Sequence, residues 1–321
     1  MAKSKASRLK RKPAGAIQLT ERDAQILKAL HRYRFLTTDH IQTLTGTESR
    51  WGMNKRLRLL YDHKYIDRPK AQAAIFSYAA KRPTVYALGN KGAALLSERF
   101  GIAMPAKVYW TEKNRRVRER HIEHTLGISE CMIEMETLCR ASPHHQFIDQ
   151  NEILYNSPCQ TRRAKYPFRW KTRVVDNGKS HDIMILPDYI FGIRHKDGRE
   201  RYYFVEIDRG TMPVSRRDIR QTSFMRKVLS YADTFNRGLA KQRFDISGFQ
   251  VLTVTTSIER IQTIQRATAG LPDTSFSANT FLFRTKTDTQ LSLPFLSGWQ
   301  NLRGAKSGII PPYDNRDTRN L

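Results

Sequence analysis

The chain has 321 residues, room for two domains of ordinary size, and its 39% hydrophobic residues are enough for real cores. Its net charge is +26, from 56 Lys and Arg against 30 Asp and Glu, which points to polyanionic partners, nucleic acid first and anionic membrane second. No apolar run approaches the length of a membrane span and no secretory leader is recognisable, so a spanning or secreted protein is not expected; the three cysteines (Cys131, Cys139, Cys159) lack metal-ligand spacing and read as reduced thiols of a cytoplasmic protein.

Residues 1–17 form a basic arm, "KSKASRLKRK", expected to be disordered; it reads either as a nucleic-acid tether or as a solubilising tail. Order is expected from Thr20, an N-cap followed by acids in the first helical turn, with Ala24, Ile26, Leu27, Leu30 and Tyr33 at helical spacing. A second helix is predicted over roughly 38–45, closed by Gly46, and a third over roughly 49–63. Two short strands joined by a Pro-containing loop follow, then a helix at about 90–100. Helices followed by a hairpin give the order of a winged helix-turn-helix, expected over 18–103.

On the third helix Met53, Leu57, Leu60 and Tyr61 share one face, at about 100° per residue. The opposite face carries Trp51, Lys55, Arg58 and Asp62, with Arg56 beside it. That outward stripe suits a helix inserted in a major groove, and it is equally the composition of a solvated helix face. The wing loop, with Lys70, Lys81 and Arg82, is placed to reach phosphates.

A basic connector over 104–120 contains Arg115 and Arg116 and leads into a helix of about 115–140. His121 and His124 lie on it three apart, without a third ligand near in sequence, and read as a packed or surface pair. The boundary between domains is expected near 103, with the second domain over 104–300 and a flexible tail over 301–321. "NEILYN" (151–156) is a strand candidate. Arg162, Arg163, Lys165, Arg169, Lys171 and Arg173 alternate with Tyr166, Phe168 and Trp170, a mixture that grips a backbone and stacks bases or is simply a loop. "DIMILPDYIFGI" and "RYYFVEID" read as strong strands, followed by a helix over about 215–236, a buried strand "GFQVLTVTT", a helix "IERIQTIQRAT" and a last strand "NTFLFRT". The expected class is α/β, α+β overall.

Glu206 and Asp208 lie two apart, so both side chains point to one face of their strand. The turn before them decides whether Asp188 joins them. A two-residue turn at Asp197-Gly198 sets Asp188 against Ile207, on the other face. A three-residue loop, with Gly198 in the left-handed third position, sets it against Glu206 and gathers all three acids. Such a cluster calls for a divalent metal or for a cation from the following helix, where Arg220, Phe224, Lys227 and Tyr231 share a face.

The Pro-Asp, the hairpin and the Glu on the next strand resemble the PD-(D/E)xK nuclease pattern. That resemblance implies a restriction-endonuclease-like mixed sheet, Mg²⁺ or Mn²⁺ held by Asp188 and Glu206, and a catalytic lysine. The lysine position is occupied by Asp208, and Lys227 on the following helix is the replacement candidate. A resemblance over most of the chain rests on the N-terminal helices, on "LPDYIF", "YYFVEIDRGT" and "RKVLSYADTF", and on Trp299 after the strand "VLTVTT". In these the chain is similar to the replication-relaxation family of plasmids and integrative elements. The resemblance implies a double-stranded DNA-binding protein of a mobile element in the bacterial cytoplasm, working beside other replication or recombination proteins, and a homodimer would suit a palindromic site. Three functions follow: a non-cleaving DNA-binding factor, a metal-dependent nickase or endonuclease, and a basic scaffold for RNA or another protein.

Overall fold

A computed structural model describes residues 9–12, 15–73, 83–104, 108–271, 277–286 and 298–309. The chain divides into two compact units, Met1–Thr137 and Leu138–Leu321.

In the first unit Thr20 caps α1 (Glu21–Tyr33) through reciprocal bonds with Asp23, and the stripe Ala24, Ile26, Leu27, Leu30, Tyr33 is buried. β1 (Phe35–Thr37) runs into α2 (Thr38–Thr45), which left-handed Gly46 closes. α3 (Arg50–Asp62) buries Met53, Leu57, Leu60 and Tyr61, the face that the sequence assigns to the core. β2 (Ile66–Asp67) and β3 (Val85–Leu88) complete an antiparallel sheet of order β1-β3-β2. The side chain of buried Gln72 acts as an extra strand residue: it donates to the Val85 carbonyl at 2.9 Å and accepts from the Val85 N–H at 2.8 Å. α4 (Asn90–Phe100) lies so close to the end of β2 that a Cβ at Gly92 would sit 2.2 Å from the Tyr65 carbonyl oxygen. α5 (Trp110–Arg115) and α6 (Glu119–Ala141) follow. The sequence boundary near 103 therefore falls inside the first unit, which runs on into α6.

Residues 9–12 of the basic arm are held in place, contrary to the expected disorder. The Tyr61 hydroxyl donates to the Leu9 carbonyl at 2.5 Å, and the Arg11 guanidinium lies 4.1 Å over the Tyr61 ring and pairs with Asp67. A cation–π contact joined to an ion pair offsets the chain entropy there. Residues 1–8, 13–14 and most of the wing loop, with Lys81 and Arg82, lie outside the described residues.

The second unit contains β4 (His145–Ile148), α7 (Gln150–Asn156), α8 (Cys159–Arg162), β5 (Trp170–Asp176), β6 (Lys179–Ile185), β7 (Tyr189–His195), β8 (Glu200–Ile207), α9 (Phe224–Asn236), α10 (Leu239–Phe244), β9 (Phe249–Thr255), α11 (Ile258–Thr268), β10 (Phe281–Thr285), β11 (Trp299–Asn301) and β12 (Lys306–Ser307). Its main sheet has seven strands in the order β12-β11-β10-β9-β8-β7-β4. β8, β9 and β10 are parallel and need the crossovers that α9, α10 and α11 supply; the other pairings are antiparallel. Phe204 of β8 stacks on Phe249 of β9 with centroids 4.3 Å apart, in a core shared with Val228, Tyr231 and Ile261. The expected α/β class, α+β overall, is the observed one.

Several local expectations are corrected. "NEILYN" is helix α7, not a strand: Asp149 accepts from the Asn151 and Glu152 N–H groups and caps it, and the strand is the preceding His145–Ile148. "DIMILPDYIFGI" is two strands of different sheets, broken at Pro187, which has no N–H to continue a ladder. β6 pairs with β5 alone, through an Asn177-Gly178 turn with both residues at positive φ. The helix expected from 215 starts at Phe224, because Ser223 caps it. Of the expected flexible tail, residues 301–309 are built into or against the sheet and Ile309 is buried.

Candidate functional site

The three-residue loop is the one formed. The His195 N–H donates to the Arg199 carbonyl at 2.8 Å, the Gly198 N–H donates to the His195 carbonyl at 2.9 Å, and Gly198 has φ 83°. Tyr189 then faces Val205, which carries Asp188 opposite Glu206; the Asp188 N–H donates to the Val205 carbonyl at 3.0 Å. The Asp188 carboxylate accepts from the Ile207 N–H at 2.8 Å.

Glu206 shares the face of Phe204, toward α9. Lys227 and Tyr231, one turn apart on that helix, both donate to it: the Lys227 ammonium to one oxygen, the Tyr231 hydroxyl to the other at 2.6 Å. Glu206 is 2% exposed. Burial raises its carboxyl to about 7, against the lowering pull of Lys227 and with a further push from Asp188. Burial alone would lower the Lys227 ammonium, but Glu206 and then Asp188 hold it above its ordinary value. The Tyr231 hydroxyl is pushed well up by burial and then by Glu206.

Asp208 stands just past the end of β8 and is also buried. Arg260 in the first turn of α11 pairs with it at 2.8 Å, and Thr255 donates a second bond at 2.9 Å. Arg220 lies before α9 and folds back on Asp218, while Arg216 donates to the Thr222 carbonyl. Arg260 was missed because it lies 52 residues from Asp208. Its signal was topological: β9 runs parallel beside β8, so the helix after β9 begins next to the end of β8.

These residues do not make a metal site as arranged. A hard divalent ion takes about six oxygen ligands. Both oxygens of Glu206 already accept from Lys227 and Tyr231, and Asp208 is held by Arg260 and Thr255. Among the described residues, no group of three or more His, Cys, Asp or Glu side chains is placed to hold a metal ion, His121 and His124 included. Glu152, on α7, bonds Arg194 at 2.8 Å, six residues along β7 from Asp188 and so about 20 Å away.

The outward stripe of α3 is divided in the structure. Trp51 is 75% exposed, with the Lys55 ammonium 5.2 Å from its ring centre. Arg58 is half-buried and donates to Asp62 and to the Lys10 carbonyl, both at 2.8 Å. Arg56 turns inward: it forms a two-pronged pair with Asp23 of α1, which is 0% exposed, and donates to the Gln18 carbonyl. Arg115 and Arg116 are exposed, Arg116 being 3.7 Å from Glu112.

In the basic stretch of the second unit, Arg162, Arg163, Lys165 and Arg169 are exposed and have no carboxylate partner among the described residues. Lys171 is exposed but paired with Asp182 at 3.1 Å. Of the interleaved aromatics only Tyr166 is open, at 58%; Phe168 packs on the core, and Trp170 is buried and donates to Thr234. Tyr155, 76% exposed on α7, is a further open ring that the strand assignment of 151–156 obscured. Cys131 and Cys139 are buried and Cys159 exposed, and none of the three forms a disulfide. Among the described residues, no helix is long and apolar enough to cross a membrane.

No curated protein and no solved structure matches the chain at a significant level. The sequence model of the replication-relaxation family matches residues 27–246, more than half of the chain and a span that includes α3, the basic stretch, the Asp188–Glu206 hairpin and α9. The chain belongs to the replication-relaxation family.

Proposed function

We propose that this is a non-cleaving, double-stranded DNA-binding factor acting where a mobile element is replicated or relaxed, in the bacterial cytoplasm. In this reading the first unit is a winged helix-turn-helix that presents Trp51 and Lys55 of α3 to the major groove, and the second is a restriction-endonuclease-like domain used as a scaffold. The observation that carries the reading is the run of exposed cations without carboxylate partners, Arg162, Arg163, Lys165 and Arg169, in a chain of net charge +26. Cations left unpaired by the protein are available to phosphates, and such contacts supply most sequence-independent affinity.

A second reading is favoured by one observation, the meeting of Asp188, Glu206 and Lys227 at one end of the sheet. It is a phosphodiesterase of the PD-(D/E)xK type, and it requires Lys227 to leave Glu206 before any ion can bind. Incubation of the pure protein with supercoiled plasmid and Mg²⁺ or Mn²⁺, beside Asp188→Ala and Glu206→Ala, separates the two. The expected result is retarded but intact plasmid with all three proteins. Metal-dependent nicking lost in both variants overturns the non-cleaving reading; absence of retardation overturns DNA binding.

A further inference from the structure

Positive charge in the first unit also gathers away from α3. An open pocket of about 610 Å³ lies where α5 meets the start of α6, with Lys113, Arg116, Arg118 and His121 on its walls beside Tyr109 and a single acid, Glu112. Glu112 is 3.7 Å from Arg116, and neither Lys113, Arg118 nor His121 has a carboxylate partner among the described residues.

Behind the wall stands Arg34, at the end of α1 with φ 69°. Its guanidinium centre lies 5.5 Å from the Trp110 ring and 5.0 Å from the Phe35 ring. The Lys113 ammonium is 5.1 Å from that same Trp110 ring. His121 meets the Phe35 ring edge-on at 6.1 Å. Two aromatic rings thus gather an arginine, a lysine and a histidine into one small volume, and none of the three has a carboxylate partner among the described residues. Burial lowers Arg34 to about 10. The protein packed around Lys113 and His121, and next the charge of Arg34, lowers both of these as well.

Such crowding is unfavourable in the empty protein and is relieved by an anion. The start of the 23-residue α6 adds the positive end of a helix dipole at the same place. The backbone holding the cluster is well anchored: the Asn114 side chain donates to the Leu88 carbonyl at 2.9 Å, and the Thr111 N–H donates to Asn90 at 3.1 Å.

We propose that this pocket is a phosphate-binding site, taking a phosphoryl group between Lys113, Arg118 and His121. The ligand class is a phosphate ester or inorganic polyphosphate, and its source is either a free small molecule or a backbone phosphate of nucleic acid. The proposal stands independently of the DNA-binding reading, because small phosphates are tested directly.

The test is calorimetric titration of the full chain with inorganic phosphate and with pyrophosphate, at constant ionic strength, for the native protein and for Lys113→Gln and Arg118→Gln. A parallel arm measures a 20-base-pair duplex with the same proteins and with Lys179→Gln, an exposed lysine of the second unit, as control. Both pocket residues are exposed, and thermal melts confirm that each variant is folded. The expected result is pyrophosphate binding that weakens at least about tenfold in each pocket variant, which assigns a free phosphate ligand. If small phosphates do not bind but duplex affinity drops about tenfold in the pocket variants and not in the control, the site takes a backbone phosphate. Unchanged affinity for small phosphates and for duplex in both folded variants overturns the proposal.

Discussion

Glu206 is held between two demands. Its place on β8 buries it beside the aromatic core, and Lys227 and Tyr231 each donate to one of its oxygens. Because burial raises its carboxyl to about 7 from an ordinary value of 4.5, the folded chain keeps a proton that the unfolded chain has released between those values. The stability Glu206 contributes is therefore full below about pH 4.5 and declines as pH rises through about 7. Urea denaturation from pH 5 to pH 8 is expected to show this decline in the native protein and to lose most of it in Glu206→Gln. The pairing of Asp188 with Glu206 was legible in the sequence, since loop length fixes hairpin register and Gly198 identifies the loop. Lys227 was legible from helical spacing. Arg260 was not, because no local pattern ties a residue on α11 to the end of β8.

The helix α3 shows how far an amphipathic pattern can be read. Its buried face is set by periodicity alone, but its charged residues divide between solvent and structure according to what α1 and the arm place beside them. Arg56 and Lys55 are neighbours in sequence with opposite tasks. Hydrogen bonds from Arg56 and Thr20, and the charge of Arg56, outweigh burial and hold the Asp23 carboxyl below its usual range. Arg56→Ala leaves that carboxylate buried and unpaired, and is expected to cost about 3 kcal/mol of stability. Lys55→Ala removes an exposed charge and is expected to weaken duplex binding while leaving the unfolding free energy within about 0.5 kcal/mol of native. Denaturation and gel retardation of the two variants side by side check both. The hairpin of β5 and β6 was available in the sequence as Asn177-Gly178 between two runs of alternating residues, a strong local signal; the basic residues of 160–173 drew the reading to charge instead. α7 was misassigned because "NEILYN" carries its only buried residue, Ile153, in a short run where helix and strand patterns coincide.

At the scale of the molecule, the excess of 26 positive charges sets how binding responds to salt. Each neutralised phosphate contributes about −0.9 to the slope of log affinity against log salt. Replacing Arg162, Arg163 and Lys165 together by Gln is expected to flatten that slope by about 2 to 3 in duplex titrations between 50 and 200 mM salt, values chosen from the range where the effect is large. An unchanged slope would remove the basic stretch from the interface. The sheet of the second unit carries a different consequence, one of timing. The buried hydroxyl of Tyr203 on β8 donates to the carbonyl of Ile309, 106 residues later. A buried hydroxyl without an acceptor costs about 1–3 kcal/mol. At roughly 5–20 residues per second of synthesis, β8 waits several seconds on the ribosome before its partner exists. The central strand thus receives this contact only late in synthesis, and a nascent chain cut short before Ile309 leaves the Tyr203 hydroxyl without that acceptor.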